Sequence, residues 1–172
     1  MKKRIGIFYG PTGGSTEKVA KLIAQEFGSK ADIYPIKEST PKLINNYDLI
    51  IFGCSTLGSE TWNGDSSKCD WEAFRPELSK LRTEGKLFAF FGTGDSVTYA
   101  RNFVDAMGIL AKDLLEMGAN VVGQWPTDDY SFTESEAVID GKFIGLPIDE
   151  DYESEKTPTR VKGWVELLKK SL

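Results

Sequence analysis

The sequence predicts an α/β protein built on an open, doubly wound, five-stranded parallel sheet with helices on both faces. Two observations carry this. Strand-like apolar runs alternate with helix-period patterns through five units of the 172-residue chain. Strands two to four are also near-continuous apolar runs rather than alternating ones, as in sheets covered on both faces. The length suits one domain over 1–172, large enough to bury a proper core.

The elements follow in order. "RIGIFY", within 3–9, is the first strand. Val19, Ala20, Ile23 and Phe27 then recur at helical spacing up to Gly28. "ADIYPI" at 31–36 and "YDLIIFGC" at 47–54 give strands two and three, and a helix is expected from about Trp71 to Leu81. "KLFAFFG" at 86–92 is the fourth strand. Phe103, Ala106, Met107, Leu110, Leu114 and Met117 mark one face of a long helix, closed by Gly118 as C-cap. "ANVVG" at 119–123 starts the fifth strand. The last helix, "TPTRVKGWVELLKK", opens with Thr157 as N-cap and Pro158 at its first position. Between them, 124–156 is long for a connection and has no helical period, yet Trp125, Tyr130, Phe132 and Phe143 give it enough apolar area to pack.

Composition narrows the function. Lys and Arg number 21 against 26 Asp and Glu, a net charge of −5 that argues against backbone-driven nucleic-acid binding. There is no histidine, which removes the commonest general base and most transition-metal sites. Chemistry here belongs to a cofactor, and no catalytic side chain or metal ligand is assigned. Cys54 and Cys69 read as cytoplasmic thiols, Cys54 in the core, and no membrane-spanning or signal pattern occurs.

In doubly wound sheets the ligand sits beyond the carboxyl ends of the strands, which singles out the loops 10–16, 53–70 and 92–102. The first, "YGPTGGSTEK", lacks the Gly-Lys-Ser/Thr close of a Walker loop and the Gly-x-Gly-x-x-Gly fingerprint. It offers Thr12, Ser15 and Thr16 among glycines before a helix start, which suits a terminal monophosphate held without a metal. The same loop also suits a ligand-free turn in which Ser15 or Thr16 only caps the helix. In the third loop Tyr99 can stack on a flat ligand, or simply pack; in the second, Leu57 and Trp62 offer an opposing wall, or Trp62 is pinned outward by the Asn63-Gly64 turn.

Taken together, the three loops resemble those of the flavodoxins, and the likeness runs nearly end to end. The first is similar to the family's "FYGxxxGxTExVA" and the third to "GTGDQxGYxxNFxDAxGxL". The segment "VGQWPTDDYSFTESEAVIDGKFIGLPIDED" at 122–151 resembles the insertion that splits the last strand of long-chain members. The resemblance implies the flavodoxin-like strand order 2-1-3-4-5, non-covalently bound FMN, and a low-potential one-electron carrier rather than an enzyme. It implies that Thr12, Gly13, Gly14, Ser15 and Thr16 hold the phosphate. Ser55, Thr56, Leu57 and Gly58 would line one side of the ring, and Thr93, Gly94, Asp95, Tyr99 and Asn102 the other. Asp151 matches a position used for the ribityl chain.

Several residues depart from the family pattern. Pro11 and Gly13 replace hydroxyl residues, Ser96 a common Gln, and Thr98 a common Gly whose turn a β-branched residue fits badly. Leu57 stands where many members have Trp, so either Leu57, the favoured cover, or Trp62 shields the ring. Gly58 is the residue able to turn its carbonyl toward the flavin cheaply. Residues 128–155 carry ten acidic side chains and one basic, Lys142, either a solvating face or a docking surface for basic redox partners. The family implies partners such as a ferredoxin/flavodoxin–NADP reductase, a pyruvate oxidoreductase or a nitrogenase reductase, met by a monomer. The runner-up is an NAD(P)H-dependent FMN quinone reductase of related fold, for which the sequence offers no second nucleotide site.

Overall fold

The computed structural model describes residues 2–55 and 70–172. Five parallel strands run in the order 2-1-3-4-5: β1 (Ile5–Tyr9), β2 (Ala31–Pro35), β3 (Leu49–Ser55), β4 (Leu87–Thr93) and β5 (Asn120–Val121). The central strands are buried along their length because their apolar residues supply both cores. Phe8, Ile50, Phe52, Phe88 and Phe90 point into one, and Ile5, Ile7, Leu49, Ile51, Ala89 and Phe91 into the other. β2 differs from its near-continuous apolar expectation. It is an edge strand, half-buried with Asp32 exposed, since only β1 flanks it.

Helices α1 (Ser15–Phe27) and α5 (Thr157–Lys169) cover one face through Val19, Ile23, Val161, Trp164 and Leu168. The other face packs on α2 (Pro41–Ile44), α3 (Asp70–Phe74) and α4 (Asp105–Glu116). Sequence reading missed α2, although Thr40 caps it by accepting from the Leu43 amide and Pro41 stands in its first turn. The helix expected over Trp71 to Leu81 is shorter: α3 ends at Phe74 and a 3₁₀ segment runs over Arg75–Lys80, because Pro76 has no N–H to continue the α pattern. Thr157 is not the N-cap of α5 but already helical, and its hydroxyl donates to Glu150 at 2.8 Å. Gly118 does follow the end of α4 in the left-handed region (φ 82°), one position past the cap residue Met117.

The last strand is split. β5 pairs only with the start of β4 (Phe88↔Val121), while β8 (Leu146–Ile148) takes the end of the same lane (Phe91↔Leu146). The intervening chain forms a hairpin of β6 (Val138–Ile139) and β7 (Lys142–Phe143), turned by Asp140 (φ 54°) and Gly141 (φ 81°). That Asp-Gly pair is a two-residue hairpin signal. Phe143 lies against Tyr130 and Phe132, both with ring centroids 5.1 Å away, and all three rings pack on Phe103. The insertion is anchored at its other side by Arg160 of α5, which is 4% exposed. Its guanidinium lies 4.0 Å from the Tyr130 ring centroid and bonds Asp129 and Glu153.

Candidate functional site

The carboxyl ends of β1, β3, β4 and β8 converge on one open cleft of about 380 Å³. This is where a doubly wound sheet leaves a crevice, and the volume lies within the roughly 300–1,000 Å³ usual for small-ligand pockets. Pro11, Gly14, Ser15 and Thr16 form its first wall, Ser55 its floor, and Thr93, Gly94, Asp95 and Tyr99 its second wall. Glu150 and Asp151 close the end next to β8. Nine of these were predicted from sequence; Pro11 and Glu150 were not assigned there.

The first loop leaves β1 through a cis Gly10–Pro11 peptide and enters α1 with Gly14 as N-cap. A glycine has no side chain with which to cap, so the cap position itself makes no side-chain hydrogen bond to the helix start. The exposed Ser15 therefore does not serve as a cap, nor does Thr16. Thr16 instead shares a buried 2.8 Å hydrogen bond with the Thr93 hydroxyl, tying the two walls together. The start of α1, where the first amides have no intrahelical partner, therefore lies at the cleft wall, and the positive end of the helix is worth roughly 0.3–1 kcal/mol to an anion there. Gly13 lies at φ 83°, a conformation that suits glycine, and its amide points to Glu17 at 3.4 Å. Glu17 also accepts from the Tyr9 hydroxyl at 2.9 Å. Burial, with Glu17 beside it, pushes the Tyr9 phenol up to about 12.

On the second wall Asp95 accepts from the amides of Val97 and Thr98 at 3.0 and 2.7 Å. Burial pushes its carboxyl up, but bonds from Thr98 and Val97 outweigh this and hold it below the usual value. The turn is thus closed by a side chain, and Thr98 is not left-handed. The non-glycine residues that do take positive φ among those described are Val104 and Asp140. Tyr99 lines the cleft half-buried. Asn102 does not reach it: its amide donates to Asp105 at 3.1 Å and it lines a separate polar recess. Thr12 and Gly13 also lie off the lining, Thr12 accepting from the Lys37 ammonium at 3.2 Å. Thr56, Leu57, Gly58 and Trp62, with Cys69, lie outside the described residues, as does the choice between Leu57 and Trp62. Cys54 is buried at the end of β3.

A residue unassigned from sequence organises the far end. Asp149 has no exposed surface and accepts four hydrogen bonds, from the Ser96 amide (3.1 Å) and hydroxyl (2.6 Å) and from the amides of Asp151 and Tyr152 (3.0 and 2.8 Å). Ser96, the replacement for a common Gln, thereby joins the β4 loop to the β8 loop. Next to it Glu150 pairs with Lys18 of α1 at 2.8 Å. The Asp151 carboxyl is held above its ordinary value, first by burial and then by the negative charges of Asp95, Asp149 and Glu150.

Of the ten acids in 128–155, Asp129, Glu136, Glu150 and Glu153 are spent on internal ion pairs and Asp149 on the loop junction. Asp128, Glu134, Asp140, Asp151 and Glu155 are exposed with no ion pair among the described residues. No helix among those residues is long and apolar enough to cross a membrane.

Comparison with known proteins agrees with this geometry. The family model described as flavodoxin matches residues 7–164. The chain is 43% identical over 170 residues to a Nostoc sp. flavodoxin, covering 98% of this chain and 97% of that protein. It is 40% identical over 170 residues to Escherichia coli flavodoxin 1, covering 97% and 93%. Among solved structures, Fusobacterium nucleatum flavodoxin bound to flavin mononucleotide is similar with a TM-score of 0.87 at 25% identity, covering 99% of each chain.

Proposed function

The chain belongs to the flavodoxin family, and from that premise we propose that it is a low-potential, one-electron carrier whose FMN is held non-covalently in the cleft at the strand ends. The observation that carries this reading is the glycine-capped start of α1, whose residues Gly14, Ser15 and Thr16 line the same cleft as Tyr99. A donor set of amides and hydroxyls fits a monophosphate that has only to be gripped, and Tyr99 fits a flat ring. When bound, the flavin supplies the electron chemistry, and the protein sets its potentials.

Each residue then has a task. Gly14, Ser15 and Thr16 hold the phosphate, with Thr12 at the rim and Gly13 giving the loop its turn, and Ser55 with Thr56, Leu57, Gly58 and Trp62 forms one side of the ring site. Thr93, Gly94, Asp95 and Tyr99 form the other, Asn102 supports the Tyr99 loop through Asp105, and Asp151 serves the ribityl chain. The carboxylates at the β8 end disfavour added negative charge in the cleft and so push the carrier toward a strongly reducing couple. The exposed acids Asp128, Glu134, Asp140, Asp151 and Glu155 steer basic faces of redox proteins, such as an NADP reductase, a pyruvate oxidoreductase or a nitrogenase reductase, with salt-sensitive affinity. Electron transfer to such a reductase slows as ionic strength rises, and a flat salt profile refutes the steering.

A reductive titration of the FMN-loaded protein tests the whole reading. Two resolved one-electron steps are expected. A single two-electron step, together with NAD(P)H oxidation that needs no added reductase, overturns the carrier in favour of a quinone reductase.

A further inference from the structure

We infer that Lys37, acting through Thr12, is a positioning residue that strengthens the grip on a doubly charged phosphate and so selects FMN over unphosphorylated riboflavin; this rests on the FMN reading above. Lys37 lies outside the phosphate loop, in the 3₁₀ turn Ile36–Glu38 that follows β2. The turn is held firmly against the loop. Ile36 is 1% exposed, and a Cβ placed on Gly10 would come within 2.8 Å of its Cγ2. From that anchor the Lys37 ammonium donates to the Thr12 hydroxyl at 3.2 Å.

The neighbouring cations are already committed. Lys18 pairs with Glu150 at 2.8 Å and Lys21 with Glu17 at 3.1 Å. Lys37 has no carboxylate partner among the described residues, and Thr12 is its bonded neighbour. The loop itself is short of donors, because Pro11 has no N–H and the Gly13 amide is turned to Glu17. A hydroxyl that accepts from an ammonium keeps its own proton free to donate, and donates more strongly for being polarised. Thr12 therefore becomes a donor with a positive charge behind it, reached from a different strand. Riboflavin, which lacks the phosphate, gains nothing from this arrangement.

The test measures dissociation constants of the apoprotein for FMN and riboflavin by quenching of flavin fluorescence, at low and high salt. Four proteins are compared: wild type, Lys37→Gln, Lys37→Arg, and Lys42→Gln, which removes one exposed positive charge from α2. An exposed, charge-assisted contact predicts an FMN affinity about three- to fivefold weaker in Lys37→Gln at low salt, a gap that shrinks at high salt. Riboflavin binding is unchanged in that variant, while Lys37→Arg and Lys42→Gln bind FMN as wild type does. Equal FMN affinity in Lys37→Gln and wild type overturns the inference alone. So does an equal loss for both flavins, which would mark Lys37 as merely structural. Failure of the wild type to bind FMN overturns the cofactor reading and the inference with it.

Discussion

Asp149→Ala removes one side chain and four hydrogen bonds, and its cost can be worked from the geometry. Bonds to a carboxylate, taken at about 1.5 kcal/mol net each, the low end of the range for charged groups, sum to roughly 6 kcal/mol. Part of this is offset, because no lysine or arginine pairs with Asp149 among the described residues and burying a carboxylate itself costs about 2 kcal/mol or more. The expected net loss is about 2–4 kcal/mol, which in a protein of this size lowers Tm by about 5–15 °C. Urea unfolding of the apoprotein measures the loss. Ser96→Ala, which removes only the 2.6 Å hydroxyl bond, should cost about 1–2 kcal/mol, and the double variant little more than Asp149→Ala alone. If the two losses add with coupling under about 0.5 kcal/mol, the idea that Ser96 and Asp149 form one junction between the cleft loops is refuted.

Two further outcomes follow from the same structure. Gly108→Ala improves helix propensity by about 1 kcal/mol, but the new Cβ would lie 2.4 Å from the backbone carbonyl of Glu136, so the insertion must shift. The net effect should be a loss of more than about 2 kcal/mol in urea unfolding, and a stabilised variant would refute the close packing of α4 on the insertion. Asp151→Asn relieves a carboxyl whose folded pKa is raised, first by burial and then by Asp95, Asp149 and Glu150. A raised folded pKa means the group's contribution to stability is present at low pH and lost as pH rises through that value. The variant should therefore withstand more urea than wild type at pH ~7 and converge with it below about 3.9, the ordinary Asp value; a gap constant with pH counts against the reasoning.

The five strands, the first and third cleft loops and the split lane were legible because each leaves a local mark: an apolar run, a glycine-rich turn, an aromatic insertion. What sequence reading missed depends on contacts between distant segments. Asp149 reads as one more acid in an acidic stretch until the fold brings Ser96 to it, and Lys37 reads as surface until β2 lies beside β1. Asn102 carries the family's motif, yet the bend before α4 turns its amide to Asp105. That bend places Val104 at φ 50°, which a propensity argument would give to glycine. Other misses were local and readable: the Thr40-Pro41 start of α2, the Asp140-Gly141 hairpin turn, and the stop at Pro76.

The divided edge lane also bears on how such a chain can be shortened. Between the pairs Phe88↔Val121 and Phe91↔Leu146 only Ala89 and Phe90 intervene, so a two-residue splice could replace 122–145 and leave an uninterrupted strand. Excision on that basis would fail for a reason the sheet does not reveal. Phe103 would lose the rings of Tyr130, Phe132 and Phe143, and Arg160 would lose Tyr130 and Asp129 and keep Glu153. A shorter descendant of this fold therefore has to change Phe103 in the same step, toward a residue that tolerates water, whereas Arg160 can turn outward with its Glu153 partner.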